Sequence, residues 1–182
     1  MRRLSLHLES DGVALVTLAP RHVDELAALR IANAQDIRVS SASRHPHEPS
    51  FADVVRSLNY RIASDTGELY PFVIIRAGVV VGDLNLSQVA RGAEESANLG
   101  LLVDRDCRGQ GIATCAIGLA CRLAFSELAL HRIQAGVQPE NRASQQAFLR
   151  NGFERIGLAR GFLFVNGAWR DHILLQKLAP GY

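Results

Sequence analysis

Between Ala97 and Phe125 an apolar strand runs through a glycine turn directly into a long apolar helix, in the stretch ANLGLLVDRDCRGQGIATCAIGLACRLAF. That order restricts the backbone severely and prepares an anion site. Gly109 and Gly111 let the chain turn tightly and come close to a ligand. The first turn of the following helix has N–H groups without intrahelical partners, and these can converge on phosphate oxygens. Arg108 adds a positive charge beside them.

Two glycines also occur at strand-to-helix turns for purely steric reasons, so the neighbouring residues must discriminate. A Walker A loop requires Lys-Ser/Thr directly after its last glycine, whereas Gly111 is followed by Ile112 and Ala113. A dinucleotide fingerprint requires GxGxxG, and Thr114 stands where its third glycine belongs. Arg108, Gly111 and Ala113 instead fit the pattern R/Q-x-x-G-x-G/A.

The chain is 182 residues long and 48% hydrophobic, which suits a single domain over 1–182 with a substantial core. Twenty Lys and Arg against eighteen Asp and Glu leave a formal charge of +2, too balanced to argue for nucleic acid or an anionic membrane surface. Cys107, Cys115 and Cys121 have no CxxC spacing, so neither a disulfide framework nor a zinc site is expected. No segment offers 18 unbroken apolar residues, and the N-terminus lacks a signal-peptide pattern. A soluble cytoplasmic protein is the expectation.

Periodicity supplies the remaining elements. Val13 to Leu18 reads as a strand, and Pro20 opens a helix with Val23, Leu26, Ala27 and Ile31 on one stripe. Asn33 to Ser50 reads as a polar loop, after which Phe51, Val54, Val55, Leu58 and Ile62 restore helical spacing. Tyr70 to Arg76 and Val79 to Leu86 flank Ala77-Gly78 as a hairpin. The glycine-loop helix carries Ile112, Ala116, Leu119 and Leu123 on one stripe and ends near Leu130. A strand follows from Arg132 to Val137, then a short helix capped by Asn141 and closed at Gly152. Gly161 to Val165 and Trp169 to Leu178 pair across Asn166-Gly167, with Trp169 expected as a hairpin core aromatic. The result is a mixed α/β sheet with helices on both faces.

The glycine pattern resembles the acetyl-CoA pyrophosphate loop of the GNAT superfamily of N-acetyltransferases, and the element order matches that fold over nearly the whole chain. The phrases RGAEESANLG, HRI, PENRAS, RNGFERIG and NGAWRDHIL look like those of its RimJ/RimL group, which acetylates protein N-terminal amines, notably on ribosomal proteins. The resemblance implies a mixed, mostly antiparallel sheet in which two parallel strands, Asn98 to Val103 and Arg132 to Val137, splay around acetyl-CoA. It places the pantetheine arm against the main chain of Leu101, Leu102 and Val103. The pyrophosphate then lies over Arg108, Gly109, Gln110, Gly111, Ile112, Ala113 and Thr114. The side chains of Leu101 to Val103 are simple core residues on the plain reading, so only their N–H and C=O groups are at issue.

Asn141 matches an asparagine that many relatives aim at the pantetheine or acetyl region, and it equally suits a helix cap. Ser144 shares its helix face, three residues on. A serine here is a proposed proton donor to the departing thiolate in RimL-like relatives; its plain reading is a solvent-facing helix serine. The tyrosine that other members use is Phe148 here. Direct transfer needs a neutral amine, and an α-amine with pKa of about 7.7 to 8.0 supplies it near neutrality with little help from a base. This matters because Gly136 and Leu163 stand where relatives have carboxylates. Glu94, Glu95 and Glu140 are water-mediated candidates that more simply read as solvated loop charges.

His45 and His47, flanking Pro46, are two histidines without further ligands, so no metal is expected. His131 and His172 read as structural, and Cys107 beside the loop is the competing covalent nucleophile. The acceptor groove is expected between Asn33–Ser50 and Gly161–Trp169, with Glu48, Glu94 and Glu95 as a conceivable acidic rim. The acceptor is a protein N-terminus or a small-molecule amine; a non-catalytic CoA-binding module and a protein binding another phosphate ligand stand beside the enzyme reading. Monomer and homodimer both remain open.

Overall fold

A computed structural model describes residues 6–40, 49–64 and 66–181. Its frame is an eight-stranded sheet in the order β1-β2-β3-β4-β5-β6-β8-β7. The strands are β1 (His7–Ser10), β2 (Val13–Thr17), β3 (Leu69–Arg76), β4 (Val79–Ala90), β5 (Ser96–Val103), β6 (Arg132–Val137), β7 (Glu154–Val165) and β8 (Ala168–Leu178). Every pairing is antiparallel except that of β5 with β6, which is parallel.

The helices are α1 (Val23–Ala32), α2 (Ala34–Ser40), α3 (Phe51–Ala63), α4 (Ile112–Ser126) and α5 (Arg142–Arg150). They cover both faces of the sheet, as the apolar stripes predict. On one face Val23, Leu26 and Leu29 of α1 join Val54, Leu58 and Ile62 of α3 against Val16, Val73 and Val80. On the other, Ile112, Ala116, Leu119 and Leu123 of α4 join Phe148 of α5 against Leu84, Leu86, Leu99 and Ile133. The alternation of β4 is thereby explained: Leu84 and Leu86 face the α4 side, leaving Asp83 and Asn85 to the α1 side.

Local chemistry sets the turns. Asn166-Gly167 joins β7 to β8 with both residues at positive φ, +47° and +79°, as a primed hairpin turn requires. Ser50 caps α3: its hydroxyl accepts from the Asp53 N–H at 3.2 Å, and the Asp53 carboxylate accepts from the Ser50 N–H at 3.1 Å.

Four expectations change. The sheet begins one strand early, because Asp11-Gly12, at φ +51° and +71°, folds His7–Ser10 back on β2. Helix α4 stops at Ser126 rather than near Leu130. Part of the expected loop after Asn33 is helix α2, which has no buried residue and therefore no apolar stripe to betray it. Trp169 is no core aromatic: it is 58% exposed, stacked edge-to-face on Phe164 with ring centroids 5.7 Å apart.

Candidate active site

Strands β5 and β6 pair only from Ser96 to Asn98 against Arg132 to Gln134. Beyond that point they diverge. The stretch Leu99 to Val103 keeps its partner β4 on one side and faces a gap on the other, so backbone polar groups directed at the gap have no strand to meet. A cavity of about 310 Å³ occupies the opening, within the range of small-molecule sites. Leu99, Gly100, Leu101 and Leu102 line it from β5, Gly136 and Val137 from β6, and Asn141, Ser144 and Phe148 from the α5 side. Val103 lies past this lining at the end of β5, leading toward the glycine turn.

The turn itself has the shape the sequence predicts. Gly109 and Gly111 stand at φ +75° and +78°, and Gly111 is the residue that precedes α4. A Cβ at either position would meet nothing within 4 Å, so space is open beside the backbone of both glycines. The amides of Ile112, Ala113 and Thr114 form the first turn of α4, where a helix has no internal acceptor to offer them. Ile112 buries its side chain in the core, so only its backbone belongs to the site. The turn is held from behind. Buried Asn33 donates to the Asp104 carboxylate at 3.0 Å and accepts from the Arg105 N–H at 3.0 Å, and Asn151 donates to the Thr114 carbonyl at 2.9 Å. Gln110 accepts from Arg76.

Arg108 does not stand free. Its guanidinium donates to Asp36 of α2 at 3.0 Å and to the Val103 carbonyl at 3.4 Å. The same short helix touches both other margins of the cleft. Arg38 donates to Asn166 at the β7–β8 turn at 2.9 Å, and Gln138 at the end of β6 donates to the Val39 carbonyl at 3.0 Å.

Asn141 caps α5 by accepting the Ser144 N–H at 3.1 Å, and the residue also lines the cavity. Ser144 is half-buried rather than solvent-facing. Phe148 is buried and packs edge-to-face on Phe153 at 4.9 Å, presenting no hydroxyl.

The glutamates that read as solvated loop charges or water-mediated bases, Glu94, Glu95 and Glu140, stay away from the cavity lining. Glu95 accepts from Arg91 at 3.0 Å and from the Gly92 N–H at 2.9 Å, bonds that hold its carboxyl below the usual range. Glu94 accepts from the Ser96 hydroxyl, and Glu140 is exposed. His172 is buried against Phe162 and bonds the Arg170 carbonyl. Cys107 sits in a 3₁₀ turn outside the lining. His45, His47 and Glu48 lie outside the described residues. No group of metal-ligating side chains gathers among the described residues.

Sequence reasoning missed the polar floor of the cavity. Asp83, only 2% exposed, accepts from Arg30 of α1 at 2.9 and 3.1 Å and from Arg61 of α3 at 3.2 Å. Arg30, Asp83 and Asn85 all line the cavity on the α1 side, so the β5–β6 gap connects the two faces of the sheet. The signal was present in VGDLNLS, where polar residues alternate with leucines in a strand that carries helices on both faces.

The family model for an acetyltransferase (GNAT) domain matches residues 13–154. "Probable N-acetyltransferase YjcK" of Bacillus subtilis (strain 168) is 39% identical over 127 residues, 69% of this chain and 70% of that protein. The "[Ribosomal protein uS5]-alanine N-acetyltransferase" of Escherichia coli (strain K12) is 33% identical over 103 residues, 57% of this chain but only about half, 53%, of that protein. The solved structure of Mycobacterium smegmatis RimJ in complex with CoA-disulfide superposes with a TM-score of 0.87 at 31% identity, covering 92% of this chain and 82% of that one.

Proposed function

Because the chain belongs to the GNAT acetyltransferase family, and is an N-acetyltransferase, we propose that it moves an acetyl group from acetyl-CoA directly to the N-terminal α-amine of a protein, a ribosomal protein foremost. The observation that carries this reading is the β5–β6 gap: a cavity open to both faces of the sheet, with an anion-ready glycine turn at one margin. The acceptor class rests on relatives, since the Escherichia coli enzyme is named for the alanine of uS5.

In this reading residues 1–182 act as one domain. The amides from Gly109 to Thr114 hold the diphosphate, with Arg108 exchanging its Asp36 contact for phosphate oxygens and Gln110 beside them. The main chain of Leu101, Leu102 and Val103 pairs with the pantetheine arm, and Asn141 borders its acetyl end. The amine nitrogen forms a bond to the thioester carbon as the carbon–sulfur bond breaks; the nitrogen loses one proton to water, and the sulfur gains one. Ser144 is the donor of that proton and recovers its own from water, since the buried ring of Phe148 has none to give. With no free carboxylate on the lining among the described residues, a neutral α-amine is the fitting nucleophile. The protein works in the cytoplasm, where ribosomal acceptors and acetyl-CoA are found together; no helix among the described residues is long and apolar enough to cross a membrane.

Thiol release from acetyl-CoA, measured with tetra-alanine amide, spermidine and free glycine as acceptors, tests the reading. Preference for the peptide is expected. Turnover of spermidine or glycine alone would move the acceptor to small-molecule amines, and CoA binding without release in any arm would leave a binding module.

A further inference from the structure

We propose that Asn85 receives the acceptor amine: its side-chain oxygen accepts one N–H of the incoming nitrogen and aims the lone pair through the β5–β6 gap at the thioester carbonyl. This rests on the acetyl-transfer reading above and names a residue of that site to which none of the sequence motifs above points.

Three observations converge. The first is an unmet hydrogen-bonding need: the Asn85 side-chain oxygen is buried, borders the cavity and has no donor among the described residues. Buried acceptors in native proteins are nearly always satisfied, so an orphan facing a ligand cavity marks where a ligand's donor belongs. The second is room. Asn85 lies directly across the ladder from Gly100, which presents no side chain; a Cβ there would meet nothing within 4 Å. Gly100 lies in the stretch of β5 that has lost β6, so this space adjoins the gap where the acyl group is placed.

The third is the state of the neighbouring charge. Asp83, two residues earlier and on the same face of β4, is the carboxylate that the described residues bring to the lining, and it already receives Arg30 and Arg61. Among the described residues, Arg30 is the other charged residue of the lining, and it is joined to Asp83. The charges that face the amine therefore sum to no net negative pull that would hold it as an ammonium ion. An amide oxygen suits this setting. It orients an N–H without favouring the positive form and never takes the proton itself, so the proton released on acylation passes to water on the α1 side.

The test compares Asn85→Val with Asn85→Thr, nearly isosteric side chains that both suit a strand and differ in one hydroxyl. With tetra-alanine amide as acceptor, Asn85→Thr is expected to keep kcat/KM for the amine within about tenfold of the parent. Asn85→Val should fall a further tenfold or more, and both should bind acetyl-CoA as the parent does. Equal rates for the two variants, whether both normal or both impaired, would overturn the proposal. If either variant fails to fold, the parent protein serves: in its complex with CoA the side-chain amide resonance of Asn85 should shift on adding tetra-alanine amide, and an unmoved resonance also overturns it. A parent enzyme that releases no thiol with any amine refutes the acetyl-transfer reading instead, which separates the two failures.

Discussion

Arg108 and Asp36 are 72 residues apart in sequence yet form an ion pair of 3.0 Å, which ties the glycine turn to a helix that also borders the cleft. The carboxylate stands where a phosphate oxygen would be an equally good acceptor for the same guanidinium. Both side chains are partly exposed, so the pair is worth about 1 kcal/mol or less. Asp36→Asn should therefore tighten acetyl-CoA binding by up to about fivefold, and Arg108→Gln should weaken it. Calorimetric titration decides; an unchanged affinity in Asp36→Asn would mean the pair does not compete with the ligand.

The left-handed backbone at Gly111 gives a second expectation. With φ at +78° and open space where a β-carbon would sit, Gly111→Ala meets no clash and is opposed by backbone strain alone. A loss of about 1 kcal/mol follows, or roughly 2–4 °C in melting temperature for a domain of this size. Acetyl-CoA affinity should fall with it, because relief of the strain turns the first amides of α4 away from one another.

Ser144 and Cys107 separate direct from covalent transfer. Ser144→Ala should lower kcat about a hundredfold while leaving acetyl-CoA affinity intact, the signature of a lost proton donor. Cys107→Ala should leave kcat within about twofold, since Cys107 stands outside the cavity lining. Rapid-quench mass spectrometry of the parent should show no acetylated protein during turnover. An acetyl group found on Cys107 would refute the direct mechanism.

The Arg30–Asp83–Arg61 cluster makes a stability prediction. Asp83→Leu removes the carboxylate that Arg30 and Arg61, the latter 14% exposed, share; a loss of about 3 kcal/mol is expected in urea unfolding. Substituting Arg30, which keeps more water around it, should cost less.

His22 predicts a pH dependence. Burial, reinforced by Arg21 and opposed by Glu25, holds its imidazole below the ordinary histidine value, and its Nδ1 accepts the Ala19 N–H at 3.2 Å. The unfolded chain thus takes up its proton at higher pH than the native one. This contribution to stability is complete above the ordinary histidine value and declines as pH falls through it toward the folded value. Melting temperatures between pH 7.5 and pH 5 should fall less in His22→Gln than in the parent.

Much of the framework was legible because its signals are local. Strand, glycine turn and helix between Ala97 and Ser126 are written in consecutive residues, as are the Asn166-Gly167 turn and the Asn141 cap. Helix α2 was not, since its seven residues bury no side chain and show no period. Strand β1 escaped for a related reason: it is a four-residue edge strand, exposed on the face of His7 and Glu9 and only half-buried on the face of Leu8 and Ser10.

The sequence by itself determined where the backbone turns, which faces of its elements are apolar, and that α4 begins with amides ready for an anion. Only the tertiary structure decided the company of each polar group. Arg30 reaches Asp83 across 53 residues and Arg108 reaches Asp36 across 72. Propensity acts over a turn or two of chain, whereas these meetings depend on sheet order and on which helices cover which face. For the same reason Asn85 looks like any strand asparagine until β5 and β6 part beside it.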